Sequence, residues 1–456
     1  MTPEGHDIWL SDLAQRVSGL STGEIALEPE IRQRSALVLV DDLAAMIAGS
    51  GAEQVARLDE NQRERSAGGE ARTVLGSKLA RANAALVNAT AADWDELDEG
   101  YRPATCHGGL YALPAAMAEA ESSGADIAQV LRAVVVGYEV STAHARLYRP
   151  TASLVLHPHA VFSSLGAASA VASLRKCEST SFQQVIQVAA TMTLAGPYQH
   201  ALDGHEVRNA WAGAGAMLGF VAADLASAGI LGSTDSAYES LHGGLGYQVS
   251  EDELLYGIQG WAIEHGYHKA YPCCQYAHSS VEATLSIVDR DLIGQRPEDI
   301  EEILVEVHPL GFALANRSPQ TSLGGKFSVP HAVATVIAHR NAGLPAFARD
   351  ALFDERVDSL RQRIRLLPFD GDLHPPHDRP ARVTVRMNDG TEFTEECLSA
   401  IGGPDRPLGV DQVLEKVERV THEIAPGFAA VARSLVEDSG NDSEQWSSFF
   451  DVAVAR

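Results

Sequence analysis

The hydrophobic pattern of residues 30 to 230 is dominated by helical spacing. Segments such as "RSALVLVDDLAAMIAGS", "DIAQVLRAVVVGYEVSTAHARLY" and "SLGAASAVASLRK" are rich in alanine and leucine, and their apolar residues recur three and four positions apart. Clusters of Gly and Ser, such as "SAGILGSTDS", separate the segments and supply helix ends or loops. We therefore predict an all-helical domain over residues 1–266, in which small side chains let the helices pack closely.

The pattern changes after about residue 267. "IEEILVEVHP" alternates in the manner of a strand, and "ARVTVRMNDGTEFTEECLS" contains two strands joined through Asn388, Asp389 and Gly390, a strong hairpin signal. Two helical stretches, "VPHAVATVIAHRNAG" and "DERVDSLRQRIRLL", lie between them. This order predicts a smaller α+β domain over residues 267–402.

Helical spacing returns near the end of the chain. "GVDQVLEKVERVTHEI" and "GFAAVARSLVED" follow the turn-forming "GGPDRP". We expect residues 403–456 to pack back onto the first domain and complete it. The predicted fold class is therefore mainly α, with a large all-helical domain and a smaller α+β domain.

Composition narrows the possible partners and compartment. The 35 basic and 61 acidic residues give a formal net charge of −26, which argues against nucleic acid or an anionic membrane as a partner. Glu4 and Asp7 interrupt the N-terminus, which favours neither a signal nor a transit peptide, and charges break the apolar runs before they reach membrane-spanning length. Five scattered cysteines fit a reducing compartment. We predict a cytoplasmic protein.

The densest acidic cluster, "ADWDELDEGYRPATCHGG", precedes His107. For Glu96, Asp98 and Glu99, a solvated helix end is the favoured interpretation. Asp93 differs because it ends an alanine-rich helix that we expect to be buried, where a carboxylate needs a partner. A histidine held by a carboxylate is a tuned acid–base group near neutral pH, so we predict that Asp93 orients His107.

Two further segments contain histidine or arginine beside helices rich in small residues. In "LVLHPHAVFSS", His157 and His159 would face opposite ways on an extended segment, so at most one of them is expected in a pocket. Arg208 can clamp a carboxylate through two hydrogen bonds, although an ordinary ion pair with Glu206 or another acid is an equal alternative.

The segment "HKAYPCCQYAHSS" contains several chemically active side chains. Cys273, Cys274 and His278 are zinc-ligand types, but they lack the paired spacing that makes a zinc site or a thiol redox motif convincing. Lys269 and Tyr271 stand at the predicted domain junction, where pockets tend to form. The segment is therefore expected beside a pocket, and the family resemblance described next implies that it is one wall of an active site.

Several motifs together resemble one known family. In chain order they are "DWDE", "CHGG", "LPAAMAEAE", "GYEV", "LHPHAVFSSLGAASA", "HKAYPCCQYAHSSVEA" and "GGKFSVPHAVA", and they span nearly the whole chain. Each is weak alone, but the set is similar to the MmgE/PrpD family, which includes 2-methylcitrate dehydratase, cis-aconitate decarboxylase and iminodisuccinate epimerase. The resemblance implies a helical domain, an α+β lid, a homodimer, and an active site between the domains that uses no metal or other cofactor.

The resemblance also implies roles for individual residues. The family pattern matches Asp93, His107, His157 and Lys269, which are the expected catalytic residues, with His157 as the candidate second acid or base. It also matches His278, an expected substrate-binding residue. Arg208, His205 and Tyr271 are added as expected substrate-binding residues from their types and positions in this chain.

This chain departs from the family pattern at two positions. Asp203 stands in the place of a lysine that dehydratase and decarboxylase relatives carry, and Gly108 stands where they usually have proline. Loss of a positive charge favours a less highly charged substrate.

Proton transfer at a carbon next to a carboxylate is the chemistry these residues predict. The favoured function is a lyase, a dehydratase or decarboxylase, acting on a small hydroxy- or polycarboxylate. An epimerase or isomerase on a similar substrate and a catalytically lapsed binding protein are the two alternatives.

Overall fold

The structure is a computed structural model, and it describes residues 3–66, 68–151, 154–255, 257, 259–291 and 297–455. The helices are α1 Pro3–Thr22, α2 Pro29–Gly49, α3 Glu53–Arg65, α4 Arg81–Trp94, α5 Gly108–Ser123, α6 Ile127–Leu147, α7 Pro158–Leu174, α8 Ser179–Ala190, α9 Gln199–Asp203, α10 Trp211–Ser227, α11 Glu251–Leu255, α12 His278–Asp291, α13 Pro309–Phe312, α14 Ser322–Lys326, α15 Val329–His339, α16 Arg349–Leu352, α17 Glu355–Arg363, α18 Val410–Thr421, α19 Phe428–Glu437 and α20 Trp446–Ala453. The strands are β1 Ala71–Arg72, β2 Lys78–Leu79, β3 Gly100–Tyr101, β4 Tyr148–Arg149, β5 Gln248–Val249, β6 Gly266–Tyr267, β7 Ile300–Val307, β8 Ile364–Pro368, β9 Ala381–Met387 and β10 Glu392–Cys397.

Buried apolar side chains form two hydrophobic cores. The first takes residues from the N-terminal helices up to Ile263 and again from Val413 onwards. The second lies between α12, α15, α17 and the four-stranded sheet, and it also takes Tyr198 and Ala201 from the N-terminal part of the chain. The predicted fold class, mainly α with a smaller α+β part, is confirmed. The domain boundaries after residues 266 and 402 remain a proposal.

Small residues explain the close packing of the first core. Helix α7 lies at its centre against α5, α6 and α10. At Gly215 in α10, an added Cβ would lie 2.7 Å from the Cβ of Ser163, closer than side chains pack. The stretch Glu206–Ser227 is long and apolar enough to cross a membrane, and 56% of its most apolar window is buried inside this fold. Its apolar character therefore has an explanation in core packing.

The second core is covered by a sheet with strand order β10-β9-β7-β8. Strands β9 and β10 form the predicted antiparallel hairpin, and Gly390 in its turn has a φ of 86°, which favours glycine. Strand β7 pairs antiparallel with β9 and parallel with β8. The hairpin and the β7 strand are thus confirmed.

One predicted helix is shorter than the sequence pattern suggested. "DERVDSLRQRIRLL" was expected to be helical throughout, but α17 ends at Arg363 and β8 begins at the next residue. Ile364 pairs with Ile303 of β7 and is fully buried in the second core. Strand pairing and burial of a β-branched residue outweigh the helical spacing here.

A short pairing between the two parts of the chain positions the functional residues. Strand β3 follows the acidic loop after α4, and it pairs antiparallel with β6, which immediately precedes the segment that carries Lys269. Gly100 lies opposite Tyr267 and Tyr101 lies opposite Gly266. This pairing brings the acidic loop and Lys269 to the same place, although they are far apart in sequence.

Candidate active site

A small closed cavity lies between the two cores. Its volume is about 20 Å³, enough for one water molecule. The lining residues are Glu96, Thr105, His107, His157, Pro158, His159, Tyr198, Arg208, Lys269, Cys274, Gln275, Tyr276 and Phe327. A molecule of several carbon atoms needs more room than this cavity provides.

His107 is held by a carboxylate of the acidic loop. It is the N-cap residue of α5, and its Nδ1 lies 2.5 Å from Oδ2 of Asp98. The other oxygen of Asp98 accepts a hydrogen bond of 3.3 Å from Nζ of Lys269. Burial raises the pKa of Asp98, but Lys269 and His107 outweigh burial and hold that pKa well below its usual value. An ionised Asp98 thus fixes the proton on Nδ1 and leaves Nε2 of His107 free for proton transfer.

The structure corrects two predictions about this loop. Asp98, not Asp93, orients His107. Glu96, Asp98 and Glu99 were expected at a solvated helix end, yet each is at most 1% exposed. The reason is the fold after α4: Glu96 takes a left-handed φ of 54°, the chain turns inward, and the pairing of β3 with β6 covers the acids with the Lys269 segment.

Arg208 and Lys269 share three buried carboxylates. Nη1 of Arg208 lies 2.5 Å from Oδ1 of Asp93 and also contacts Glu96. Nζ of Lys269 donates to Glu96 at 3.0 Å as well as to Asp98. Asp93 therefore has the partner that its burial requires, and of the two alternatives for Arg208 the structure shows an ion pair, with Asp93 and Glu96 in place of Glu206.

Arg208 and Lys269 face three carboxylates, and the pKa values of these carboxylates shift in different directions. Burial raises the pKa of Glu96, but Arg208 and Lys269 outweigh it and bring that pKa down to about 2. Burial raises the pKa of Asp93 well above its usual value, because Arg208 does not offset burial together with the nearby Glu96 and Asp98. Even with Asp93 neutral, the ionised Glu96 and Asp98 balance Arg208 and Lys269, so this group of side chains has no surplus positive charge.

Both histidines of the "HPH" motif line the cavity, whereas at most one was expected to. Helix α7 begins at Pro158, so His157 caps the helix and His159 lies in its first turn, and their ring centroids are only 4.4 Å apart. Nε of Arg208 donates to Nε2 of His157 at 3.2 Å, and the hydroxyl of Tyr111 lies 2.8 Å from Nδ1 of His159. Burial, with Arg208, lowers the pKa of both histidines well below the usual value, so both are neutral.

The remaining predicted site residues lie outside the cavity. Asp93 is behind the wall, where its Oδ1 is 3.2 Å from Nε2 of His159. His205 is exposed, and Tyr271 is half-buried with its ring against His278. His278 is buried, but its two nitrogens face the hydroxyl of Tyr267 and the carbonyl of Cys273. These contacts do not support a direct role in substrate binding for His205, Tyr271 or His278.

The two sequence departures have different outcomes. Asp203 is exposed and accepts a hydrogen bond from Gln199, so it places no charge in the cavity. Gly108 is required by packing, because a Cβ there would lie 2.5 Å from the ring of Tyr138. The negative charges at the cavity come instead from Glu96 and Asp98, which are buried and not in solvent as the sequence predicts.

At the cavity, two overlapping sets of described side chains have donor atoms close enough to hold a metal ion. They are Asp98 with His107 and His159, and Asp93 with Glu96 and His159. Every carboxylate in them already contacts Arg208, Lys269 or His107. A divalent ion would have to displace a fixed cation, which leaves the acid–base interpretation as the simpler one.

A second layer of acids supports the helix that carries His107. Glu99 accepts hydrogen bonds from the backbone N–H of Gly109 at 2.6 Å and from the hydroxyl of Tyr138 at 2.9 Å. Asp42 accepts from the backbone N–H of Glu99 at 2.8 Å. Burial raises the pKa of Glu99 to about 8 in spite of these hydrogen bonds. Glu99 is therefore protonated at neutral pH and fixes the start of α5.

The raised pKa of Glu99 predicts a pH-dependent stability. The proton on Glu99 stabilises the fold fully below pH 4.5, its ordinary pKa, and this contribution is lost as the pH rises towards about 8. Glu99→Gln mimics the protonated group, so its stability should fall less over this range, with a difference in slope of up to about 1.4 kcal/mol per pH unit. Urea unfolding at pH 5.5, 6.5 and 7.5 measures this. Glu60→Gln, on the exposed side of α3, is the control, and equal slopes for wild type and Glu99→Gln would contradict the prediction.

The fold and the site define a mainly α-helical protein whose acid–base groups are buried between two cores. The chain belongs to the MmgE/PrpD family: residues 11–254 match the MmgE/PrpD N-terminal domain and residues 271–439 match the C-terminal domain. It is 25% identical over 456 positions to a cis-aconitate decarboxylase-like protein of Aspergillus oryzae, which covers 93% of this chain and 92% of the relative. At the level of the family, these matches support a function of the dehydratase or decarboxylase type.

Proposed function

We propose that this protein is a cofactor-independent lyase that transfers a proton at a carbon next to a carboxylate of a small hydroxy- or polycarboxylate. One observation carries the proposal: the ionised Asp98 pairs with both His107 and Lys269, and these two side chains line a cavity between the two cores. A histidine held in one tautomer by a carboxylate is a general base, and a buried cation beside it stabilises the negative charge that forms when the proton leaves.

The chemistry can be written for both types of lyase. Nε2 of His107 removes the proton next to the carboxylate, and Lys269 stabilises the enolate-like charge. In a dehydration, the electron pair forms the carbon–carbon double bond, the carbon–oxygen bond breaks, and the imidazolium returns its proton to the departing hydroxide as water. A decarboxylation instead starts with Nε2 of His107 protonated: the carbon–carbon bond to the carboxylate breaks, carbon dioxide leaves, the electron pair stays on carbon, and the imidazolium gives its proton to that carbanion. Because burial and Arg208 lower the pKa of His157, we assign it hydrogen bonding in its neutral form, and His107 is the proton donor.

Charge balance favours a substrate with few carboxylates. The two cations that line the cavity, Arg208 and Lys269, already contact Glu96, Asp98 or Asp93. Each additional carboxylate on the substrate would enter a buried site without a free cation, which costs several kcal/mol, on the order of the desolvation of one ion. We therefore expect a mono- or dicarboxylate to react faster than a tricarboxylate.

Proton NMR in deuterium oxide tests the proposal. The protein is incubated with a panel of hydroxy-, keto- and unsaturated mono-, di- and tricarboxylates, and spectra are followed for new products. We expect product signals that disappear in His107→Ala and persist in His205→Ala, a matched control because His205 is an exposed histidine outside the cavity. Product formation that survives in His107→Ala would contradict the assigned base.

An epimerase on a similar substrate is the second candidate. It is favoured by the presence of His107, His157 and His159 together on the cavity wall, since inversion needs proton exchange at both faces of one carbon. Deuterium uptake without loss of water or carbon dioxide would identify it. Tight binding of a panel member with no exchange over hours would favour a catalytically lapsed binding protein.

We further propose that the protein is a cytoplasmic homodimer, as its family membership suggests. Light scattering coupled to size-exclusion chromatography measures the oligomeric state. A mass of 97 kDa, twice the 48.6 kDa of one chain, is the expected result, and a single-chain mass would contradict it.

A further inference from the structure

A second group of ligand-type side chains lies away from the cavity. His6 and Asp7 are in α1, and Asp235 lies just before the π-helical turn Tyr238–Gly244. One donor atom from each of the three residues lies within 4.8 Å of the other two. The group joins the N-terminal helix to the chain that follows α10.

Three buried atoms of this group have no hydrogen-bond partner among the described residues. His6 is 1% exposed, and its Nε2 lies 2.6 Å from the hydroxyl of Tyr148, whereas its Nδ1 has no hydrogen-bond partner among the described residues. Oδ1 of Asp7 and Oδ1 of Asp235 are buried and unpartnered in the same part of the structure. Burying a polar atom without a partner costs about 1–3 kcal/mol, and more for a charged group. Something that accepts electron pairs from all three atoms would remove this cost.

The group also differs from the active-site cluster in its charges. In the described part of the chain, no lysine or arginine forms an ion pair with Asp7 or Asp235, whereas each carboxylate of the cavity cluster faces Arg208 or Lys269. Two neighbouring carboxylates that have no lysine or arginine partner attract a cation from solution. The side chain of His6 supplies a nitrogen donor, and imidazole nitrogen binds transition metals better than it binds magnesium or calcium.

We propose that His6, Asp7 and Asp235 bind one divalent transition-metal ion, such as Zn²⁺ or Mn²⁺. The protein supplies one imidazole nitrogen and two carboxylate oxygens, and water completes the coordination. Tyr148 fixes the orientation of the imidazole from its other nitrogen, as the outer partners of metal-bound histidines usually do. The bound ion ties α1 to the segment before the π-helical turn, and its role is structural, separate from the lyase chemistry.

Metal binding to the full chain tests the proposal. The protein is stripped with a chelator, mixed with ZnCl₂ or MnCl₂, and passed through a desalting column, and the retained metal is measured by mass spectrometry. Calorimetric titration gives the affinity. We expect one equivalent bound by the wild type, and at least a tenfold weaker affinity in Asp235→Asn, which keeps the side-chain volume. His339→Ala is the control, because His339 forms a surface pair with Asp354, with Nε2 and Oδ2 3.0 Å apart, and should bind as the wild type does.

Two results would overturn the proposal. One is a wild type that retains neither metal. The other is one equivalent of bound metal that persists in Asp235→Asn and disappears in His107→Ala. The ion would then belong to the cavity cluster. Thermal unfolding separates metal loss from misfolding: stripped Asp235→Asn should melt close to the stripped wild type, and only the wild type should gain thermal stability when metal is added. A metal-induced rise of the same size in both proteins would also count against the site.

Discussion

Asp98→Asn is expected to lower kcat by about 10³- to 10⁴-fold, the loss seen when the carboxylate that orients a catalytic histidine is replaced by its amide. Oδ2 of Asp98 accepts a hydrogen bond from the protonated Nδ1 of His107, with the two atoms 2.5 Å apart. An asparagine can turn its NH₂ group towards Nδ1, which then becomes the acceptor and moves the proton to Nε2. The base that should remove the substrate proton would then carry a proton itself.

The measurement has a readout that does not depend on the substrate. Nitrogen-15 NMR of labelled histidine distinguishes the two tautomers of His107 in the resting protein, and the rate of deuterium exchange or product formation gives the activity. Asp95→Asn is the matched control in the same loop, because Asp95 pairs with Lys326 and does not line the cavity. A loss of activity smaller than fivefold in Asp98→Asn, with the Nδ1 proton retained, would show that Asp98 does not control His107.

Arg208→Met is expected to destabilise the fold by about 3–5 kcal/mol, the usual cost of removing one partner of a buried ion pair. Arg208 is 1% exposed and contacts Asp93 and Glu96, which are both buried. Methionine fills much of the space of the arginine stem, so the loss comes mainly from the charge left on Glu96. The prediction therefore concerns electrostatics more than packing.

Urea unfolding at pH 7 measures this loss, and a double variant isolates its cause. In Arg208→Met, Lys269 alone faces both Glu96 and Asp98, so Glu96→Gln in that background removes the surplus negative charge and should restore part of the lost stability. Arg386→Met is the control, because Arg386 pairs with Glu392 at the surface and its removal should leave the unfolding midpoint nearly unchanged. If Arg208→Met and Arg386→Met shift the midpoint equally, the buried network does not contribute as proposed.

The candidate site could be predicted only in part from the sequence. His107, His157, Lys269 and Arg208 were identified by residue type and motif, and all four line the cavity. The sequence assigns the wrong carboxylate to His107, because Asp93 and Asp98 lie in one acidic run, both are buried, and the sequence does not tell which of them reaches the imidazole. The sequence places His159 outside the pocket because the segment is taken as extended. The helix in fact begins at Pro158, the residue before His159, and both histidines line the cavity.

The sequence by itself determined the fold class, the hairpin, and the types of side chain available for chemistry, because apolar spacing and turn residues act over a few neighbouring positions. The tertiary structure decided which acids are buried and which cation each of them meets. Lys269 reaches Glu96 across 173 positions of the chain, and the β3–β6 pairing makes that contact possible. Burial then raises the pKa of Asp93 and Glu99, since desolvation depends on everything that covers a carboxyl group and not on its neighbours in sequence.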